Sequence, residues 1–192
     1  MKCVLCARFY LKPICPQCLS QINITPSIRV IKGVSIYSFY RYSDIDMLLK
    51  SKYYVFGSRI FAMLSQKASD YFFSPTNPSL WKQSKLYGIG IDDCPRSYYS
   101  HTAIILKAFC RYGLKATYGA LQAKNIVHYA GKSLRYRQQN PRNLTFKGDS
   151  SKDFFLVDDI ITTGTTMAEA IDTLEKAGAN VCFGIALCNA GH

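Results

Sequence analysis

The chain has 192 residues, 48% of them apolar and with a formal net charge of +12, which suits one domain of ordinary size with a substantial core and room for a small appendage. No apolar run reaches the ~18–20 residues that cross a bilayer, and Met1-Lys2-Cys3-Val4-Leu5-Cys6 lacks the apolar stretch of a secretory signal. Composition marks no disordered segment, so the expectation is a soluble, cytoplasmic globular protein.

Residues 1–22 are cysteine-rich and too short for a core of their own. Residues 30–39 alternate well enough to be strands, with a hairpin turning at Gly33. Residues 43–72 have helical spacing in Met47, Leu48, Val55, Phe56, Ile60 and Leu64, with Ser43 as N-cap and a break near Gly57-Ser58. Ser74-Pro75-Thr76-Asn77-Pro78-Ser79 reads as a loop. Residues 86–91 read as a buried strand, 101–112 as a helix capped by Ser100 and closed by Gly113, and 116–118 as a strand. Residues 119–130 are helical or irregular, and the polar, basic stretch 131–151 is expected to be a mobile surface loop. A strand at 154–157, a helix at 166–177 and a strand at 181–187 complete the chain. Strands alternating with helices point to a parallel sheet covered on both faces.

The richest segment is Phe154-Phe155-Leu156-Val157-Asp158-Asp159-Ile160-Ile161-Thr162-Thr163-Gly164-Thr165-Thr166-Met167. An apolar strand runs into two carboxylates, then small and hydroxyl residues, then a helix. A loop that opens into a helix N-terminus presents backbone N–H groups and a favourable dipole to an anion. Thr162, Thr163, Thr165 and Thr166 add hydroxyl donors, and Gly164 lets the backbone turn tightly. Asp158 and Asp159 stand before the loop, placed to accept from two ribose hydroxyls. A phosphate at one end and a vicinal diol at the other describe a ribose 5-phosphate.

This loop resembles that of type I phosphoribosyltransferases. Over nearly its full length the chain is similar to the ComF family, the ComFC-type competence proteins of DNA uptake in natural transformation. The resemblance implies a type I phosphoribosyltransferase-like fold, a parallel sheet flanked by helices with a hood, and 5-phosphoribosyl-1-pyrophosphate (PRPP) with Mg²⁺ as ligand. Two positions depart from the pattern. Thr162 stands where purine-salvage relatives carry an Asp general base, and a threonine takes no proton at neutral pH. Asp92-Asp93-Cys94-Pro95-Arg96, followed by Ser97-Tyr98-Tyr99-Ser100, replaces the usual pyrophosphate segment. The catalytic residue therefore stays unassigned.

Cys3-x2-Cys6 and Cys15-x2-Cys18 bring two pairs of thiolates toward one ion. Structural zinc is the leading reading, with a redox pair, an iron cluster and disulfides as rivals; ComF relatives look the same here. Cys94, Cys110, Cys182 and Cys188 are scattered and read as reduced apolar thiols.

Charge is unevenly placed. Residues 151–192 hold two Lys against six Asp or Glu, while no acidic residue lies between Asp93 and Asp149 and ten basic ones do. Tyr98, Tyr99, Phe109, Tyr112, Tyr118, Tyr129, Tyr136 and Phe146 are interleaved with them. Rings that stack on bases beside cations that follow a backbone suit single-stranded nucleic acid. The densest cations, Lys132, Arg135, Arg137 and Arg142, contact either nucleic acid or pyrophosphate, and the alternative is that several of the rings fill the core.

The resulting organisation is a four-cysteine zinc knuckle at 1–22 and a phosphoribosyltransferase-type domain at 23–192. The latter divides into N-terminal strands and helices at 23–80 and a core at 81–192 with the PRPP loop at 156–166. The expected function is a competence factor that binds single-stranded DNA and PRPP alongside other DNA-uptake proteins. An active phosphoribosyltransferase and a PRPP-sensing module without turnover are the alternatives.

Overall fold

The structure is a computed structural model that describes residues 1–74, 85–92, 98–111, 113–125, 127 and 133–191, with the main chain alone at 134, 137 and 138. After α1 (Pro16–Gln21), β1 (Ser27–Ile31) and β2 (Val34–Arg41) form an antiparallel hairpin in which Ile31 faces Val34. Its two-residue turn, Lys32-Gly33, has φ of 50° and 79°. Two left-handed residues in succession are what the twist of a tight hairpin requires. The chain then runs through α2 (Tyr42–Lys50), a 3-10 turn (Ser51–Tyr53) and α3 (Gly57–Phe72), and on to β3 (Leu86–Gly90), α4 (His101–Phe109) and β4 (Lys115–Thr117). Next come β5 (Leu121–Ala123), α5 (Leu134–Gln139) and β6 (Leu144–Phe146). β7 (Asp153–Ile161), α6 (Thr165–Lys176) and β8 (Asn180–Asn189) finish the fold.

Six strands form one sheet in the order β1-β2-β8-β7-β3-β4, parallel except for the β1–β2 hairpin, and β5 pairs with β6 separately. Both faces are covered, as expected. Strand alternation divides the core: Phe155 and Val157 join Phe183 and Ile185 under α3 and α4, while Phe154 and Leu156 face Met167, Ile171 and Leu174 of α6. The cysteine-rich start shares the first of these cores, since Cys3, Ile14, Cys15, Cys18 and Ile22 are buried with Ile60 and Leu64. Lys67 of α3 donates to the carbonyl of Leu19 (2.6 Å), which also accepts the Ile22 N–H (3.3 Å), and so ties the end of α1 to α3. Among the described residues, no helix is long and apolar enough to cross a membrane.

Several local expectations change. α2 starts at Tyr42 with Arg41 as its N-cap, while the Ser43 hydroxyl bonds Asp44 instead. α4 stops at Phe109, and the Leu114 N–H bonds the Arg111 carbonyl ahead of β4. β7 extends to Ile161, so both aspartates belong to the strand; its partner β8 continues the ladder to Asn189. The stretch 131–151 is not one loop: it holds α5, capped by Ser133 through Tyr136 N, and β6. β5 supplies the partner strand within 119–130. Polar composition hid these short elements because their contacts are made at long range.

Candidate functional site

β7 carries Asp158 and Asp159 to the carboxyl edge of the sheet, where open α/β sheets bind ligands. Successive residues of a strand point to opposite faces. Asp159 therefore turns toward α2–α4, where Lys52 of the 3-10 turn reaches its Oδ2 at 3.0 Å. Asp158 turns toward the β5–β6 hairpin and α6, and its Oδ1 accepts the Asp159 N–H at 2.8 Å. The two carboxyls are electrically unlike. Burial and the charge of Asp159 push Asp158 up to about 8, against the pull of its backbone bond and Arg142. Burial also opposes ionisation of Asp159, yet the charge and hydrogen bond of Lys52 outweigh it and hold that carboxyl below the usual range.

Between β7 and α6, residues 162–164 make the phosphate-type loop. Gly164 caps α6 with φ 81°, a left-handed conformation, and a Cβ there would stand 2.6 Å from Ile31 Cδ1. Only glycine satisfies both demands. Arg29 of β1 donates to the Thr162 carbonyl, and the Thr163 and Thr165 hydroxyls bond each other at 2.9 Å. Thr162, Gly164, Thr165 and Thr166 line a small recess beside Asp158; Thr163 is exposed at its rim.

Asp158, Asp159, Thr166 and Arg142 converge on an adjoining pocket, together with Lys52, Asp92 and His101. Sequence reasoning missed the last three as site residues. Lys52 lies 107 positions from Asp159, and no local motif marks it. His101 bonds the Lys52 carbonyl through Nε2 at 3.2 Å, a contact equally silent in sequence. Asp92, with φ 53°, accepts from Arg142 (3.1 Å) and from the Ala123 N–H (3.1 Å). Glu169 of α6 accepts from the backbone N–H groups of Arg142 and Leu144, both at 3.2 Å. These bonds dock the β5–β6 hairpin over the site.

The other expected contacts disperse. Arg135 is exposed on α5, and Lys132 and the Arg137 side chain lie outside the described residues, as do Asp93, Cys94, Pro95 and Arg96. Of the interleaved rings, Phe109 is fully buried and Phe146 packs on Phe154 at 5.6 Å. Tyr98, Tyr118 and Tyr136 are exposed, and Tyr112 and Tyr129 lie outside the described residues.

A second candidate site is the cysteine cluster. The sulfurs of Cys3, Cys6, Cys15 and Cys18 all lie within 4.8 Å of one another. Ala7, at φ 58°, turns the chain after Cys6, and Pro16 opens α1 directly after Cys15. Burial opposes ionisation of Cys3, but N–H groups of Cys15, Cys6 and Leu5 bring its thiol down to about 6. The Cys15 and Cys6 sulfurs push Cys18 up to about 12. Four sulfurs this close ionise together only around a cation, and an all-thiolate tetrad suits a closed tetrahedral site.

Residues 121–191 match the phosphoribosyl transferase domain family, so a phosphoribosyltransferase domain is present across the hairpin, β7, the loop, α6 and β8. No curated protein matches the chain. Among solved structures it is similar to a hypoxanthine phosphoribosyltransferase from Staphylococcus aureus, at 14% identity and a TM-score of 0.41, over 67% of this chain and 62% of that one. The chain thus covers less than two thirds of that relative. It is also similar to the UMP synthase of Leishmania donovani (12% identity, TM-score 0.37, 89% of this chain and 30% of that one). The orotate phosphoribosyltransferase of Mycobacterium tuberculosis aligns at 8% identity and a TM-score of 0.37, over 90% of this chain and 93% of that one.

Proposed function

We propose that the chain binds PRPP with Mg²⁺ in the pocket around Asp158 and Asp159, and that it does so as a cytoplasmic competence factor that also binds single-stranded DNA. The observation that carries the ligand assignment is the convergence of two adjacent strand carboxyls on one pocket, with Asp158 and Thr166 shared between that pocket and the recess of the Thr-Thr-Gly-Thr-Thr loop. The loop's N–H groups and Thr165 and Thr166 hydroxyls receive the 5′-phosphate. Asp158 and Asp159 accept from the ribose hydroxyls, and the metal supplies charge neutralisation for the pyrophosphate. The carboxyl pair suits a cation: two neighbouring acids, one of them held protonated by its surroundings, gain from a positive charge between them. Arg142, held by Asp92 beside the pocket, supplies a cation for the pyrophosphate end. The DNA part rests on the acid-free basic stretch between Asp93 and Asp149 and on the likeness to ComF proteins. In this reading Cys3, Cys6, Cys15 and Cys18 hold structural Zn²⁺, and residues 1–22 form a knuckle ahead of a domain at 23–192.

Titration calorimetry of the zinc-loaded protein with PRPP and Mg²⁺ tests the ligand assignment. Wild type should bind, and Asp158→Ala with Asp159→Ala should weaken binding by about 100-fold or more with unchanged far-UV circular dichroism. Equal affinity in the double variant would overturn the assignment.

A second reading, phosphoribosyl transfer, is favoured by one observation. A cleft of about 520 Å³ opens at the ends of β2 and β8, lined by Arg41, Tyr42, Ser43 and Asn189. Asn189 pairs with Ile161 at the start of the loop, which sets the cleft beside the loop, and in this reading the cleft takes the acceptor. Release of pyrophosphate from PRPP that depends on an added acceptor supports transfer. Binding without release, at every acceptor tried, supports a sensor instead.

A further inference from the structure

Four successive side chains from the last residue of the 3-10 turn to the residue before α3 are turned to solvent: Tyr53 (63% exposed), Tyr54 (59%), Val55 (62%) and Phe56 (45%). A contiguous apolar surface of this kind marks a binding site more often than a lone exposed residue does. Its geometry is specific. The Tyr54 and Phe56 rings lie parallel, 5.5 Å apart with planes 13° from one another. Most ring pairs among the described residues meet edge-on or tilted; the other parallel pair, Phe155 with Phe183, is inside the core. The turn is also held in place. Tyr54 N–H bonds the Ser51 carbonyl (2.9 Å), Gly57 N–H the Tyr54 carbonyl (3.0 Å) and Arg59 N–H the Phe56 carbonyl (3.1 Å). At Gly57 a side chain would collide with the Ser51 carbonyl and the Tyr99 hydroxyl.

The turn is joined to the pocket by its own sequence. Lys52, which precedes Tyr53, places its ammonium 3.0 Å from Asp159 and 5.6 Å from the centre of the Tyr53 ring. Aromatic faces therefore begin beside the carboxylates assigned to the ribose. Arg59 is exposed after the turn, and Lys50, ion-paired with Asp46 at 2.8 Å, is exposed before it, so the basic border of the rings is carried chiefly by Arg59.

We propose that Tyr54 and Phe56 form a seat for an unpaired nucleobase. A fixed pair of parallel rings bordered by cations offers a stacking face for any base and charge for the phosphates beside it. The inference deepens the nucleic-acid part of the function proposed above and rests on it, but moves the recognition surface from residues 98–146 to residues 53–56. The base belongs to a single strand of nucleic acid passing the pocket; a small nucleobase compound bound next to the ribosyl group is the competing outcome of the test.

The test measures binding of the full-length, zinc-loaded chain to a labelled thymidine oligonucleotide and to an abasic oligonucleotide of equal length, at fixed salt. Wild type should bind the base-bearing strand about 10-fold or more tightly than the abasic one. Tyr54→Leu with Phe56→Leu keeps the apolar surface and removes the rings; it should lose the preference while keeping its abasic affinity, and Tyr54→Phe should retain the preference. Direct titration with thymidine and adenosine monophosphates separates the sources. Ring-dependent binding of a monophosphate identifies a small nucleobase ligand, and ring-dependent binding of the strand alone identifies single-stranded nucleic acid. A preference that survives in the double Leu variant, or wild type that distinguishes bases in neither format, overturns the proposal and leaves the surface to an apolar protein partner. PRPP titration of the same preparations reports separately on the pocket, so failure there counts against the ligand assignment and not against the seat.

Discussion

Asp158 and Asp159 are adjacent in one strand and both buried, yet their carboxyls shift in opposite directions, because alternation gives Lys52 to Asp159 and leaves Asp158 facing the charge of its neighbour. The sign of the resulting pH dependence follows. The folded carboxyl of Asp158 lies at about 8, above its ordinary 3.8. Folded chains therefore keep a proton that unfolded chains have released, and stability falls as pH rises through that window. Asp159 has the opposite sign: its depressed value contributes stability at neutral pH that is lost in acid as pH falls through the folded value. Asp158→Asn removes the first effect. The ligand-free variant should be more stable than wild type by several kcal/mol at pH 8, on the order of 5, and the difference should shrink to roughly 1–2 kcal/mol toward pH 5 in thermal melts. Parallel melting curves at all pH values would refute the raised carboxyl. The place of both acids between an apolar strand and the loop was legible in sequence, although the strand was expected to end at Val157 and runs on to Ile161; the partner of each acid was not legible, because Lys52 and Arg142 reach them only after the chain has folded.

At the scale of elements, the β5–β6 hairpin differs most from its expectation. Local propensity in 131–151 is weak, and Gln, Asn and Arg there promise little burial. Its order comes from α6, whose Glu169 accepts two backbone N–H groups, and from Asp92, which accepts one more and an arginine. A charged acceptor stabilises such bonds by roughly 1.5–3 kcal/mol. Glu169→Ala should therefore speed hydrogen exchange at the Arg142 and Leu144 amides by about 10-fold or more, while Phe155 and Leu156 amides in β7 keep their protection. Equal exchange in the variant would mean that the hairpin is held elsewhere. The loop before α6 is the contrasting case. Its glycine, its hydroxyls and its place between an apolar strand and a helix are written consecutively in the chain, so it was readable at once. What sequence left out is its support from β1, where Arg29 bonds the Thr162 carbonyl and Ile31 fills the space beside Gly164.

At the scale of the whole molecule, the cysteine-rich start is not an independent bead. Its buried sulfurs share a core with α3, so loss of the proposed zinc should be felt throughout. Removing metal with a chelator should lower the melting temperature of the entire chain by about 5 °C or more, with recovery on adding Zn²⁺, and Cys18→Ser should behave as the stripped protein does. A melt unaffected by chelation would mean that the tetrad holds no stabilising metal.

By itself the sequence determined the class of fold, the four-cysteine grouping and the threonine- and glycine-rich loop between a strand and a helix, since each depends on spacing along a few consecutive residues: apolar period, Cys-x2-Cys pairs, and strand–acid–loop–helix order. Tertiary structure alone decided which cation faces which carboxylate, which of the interleaved rings are core and which exposed, and how Lys52, with the Tyr53 ring next to it, comes to stand beside Asp159. Those relations join residues tens to more than a hundred positions apart, and a chain carries no local mark of a contact that only the closing of the sheet creates.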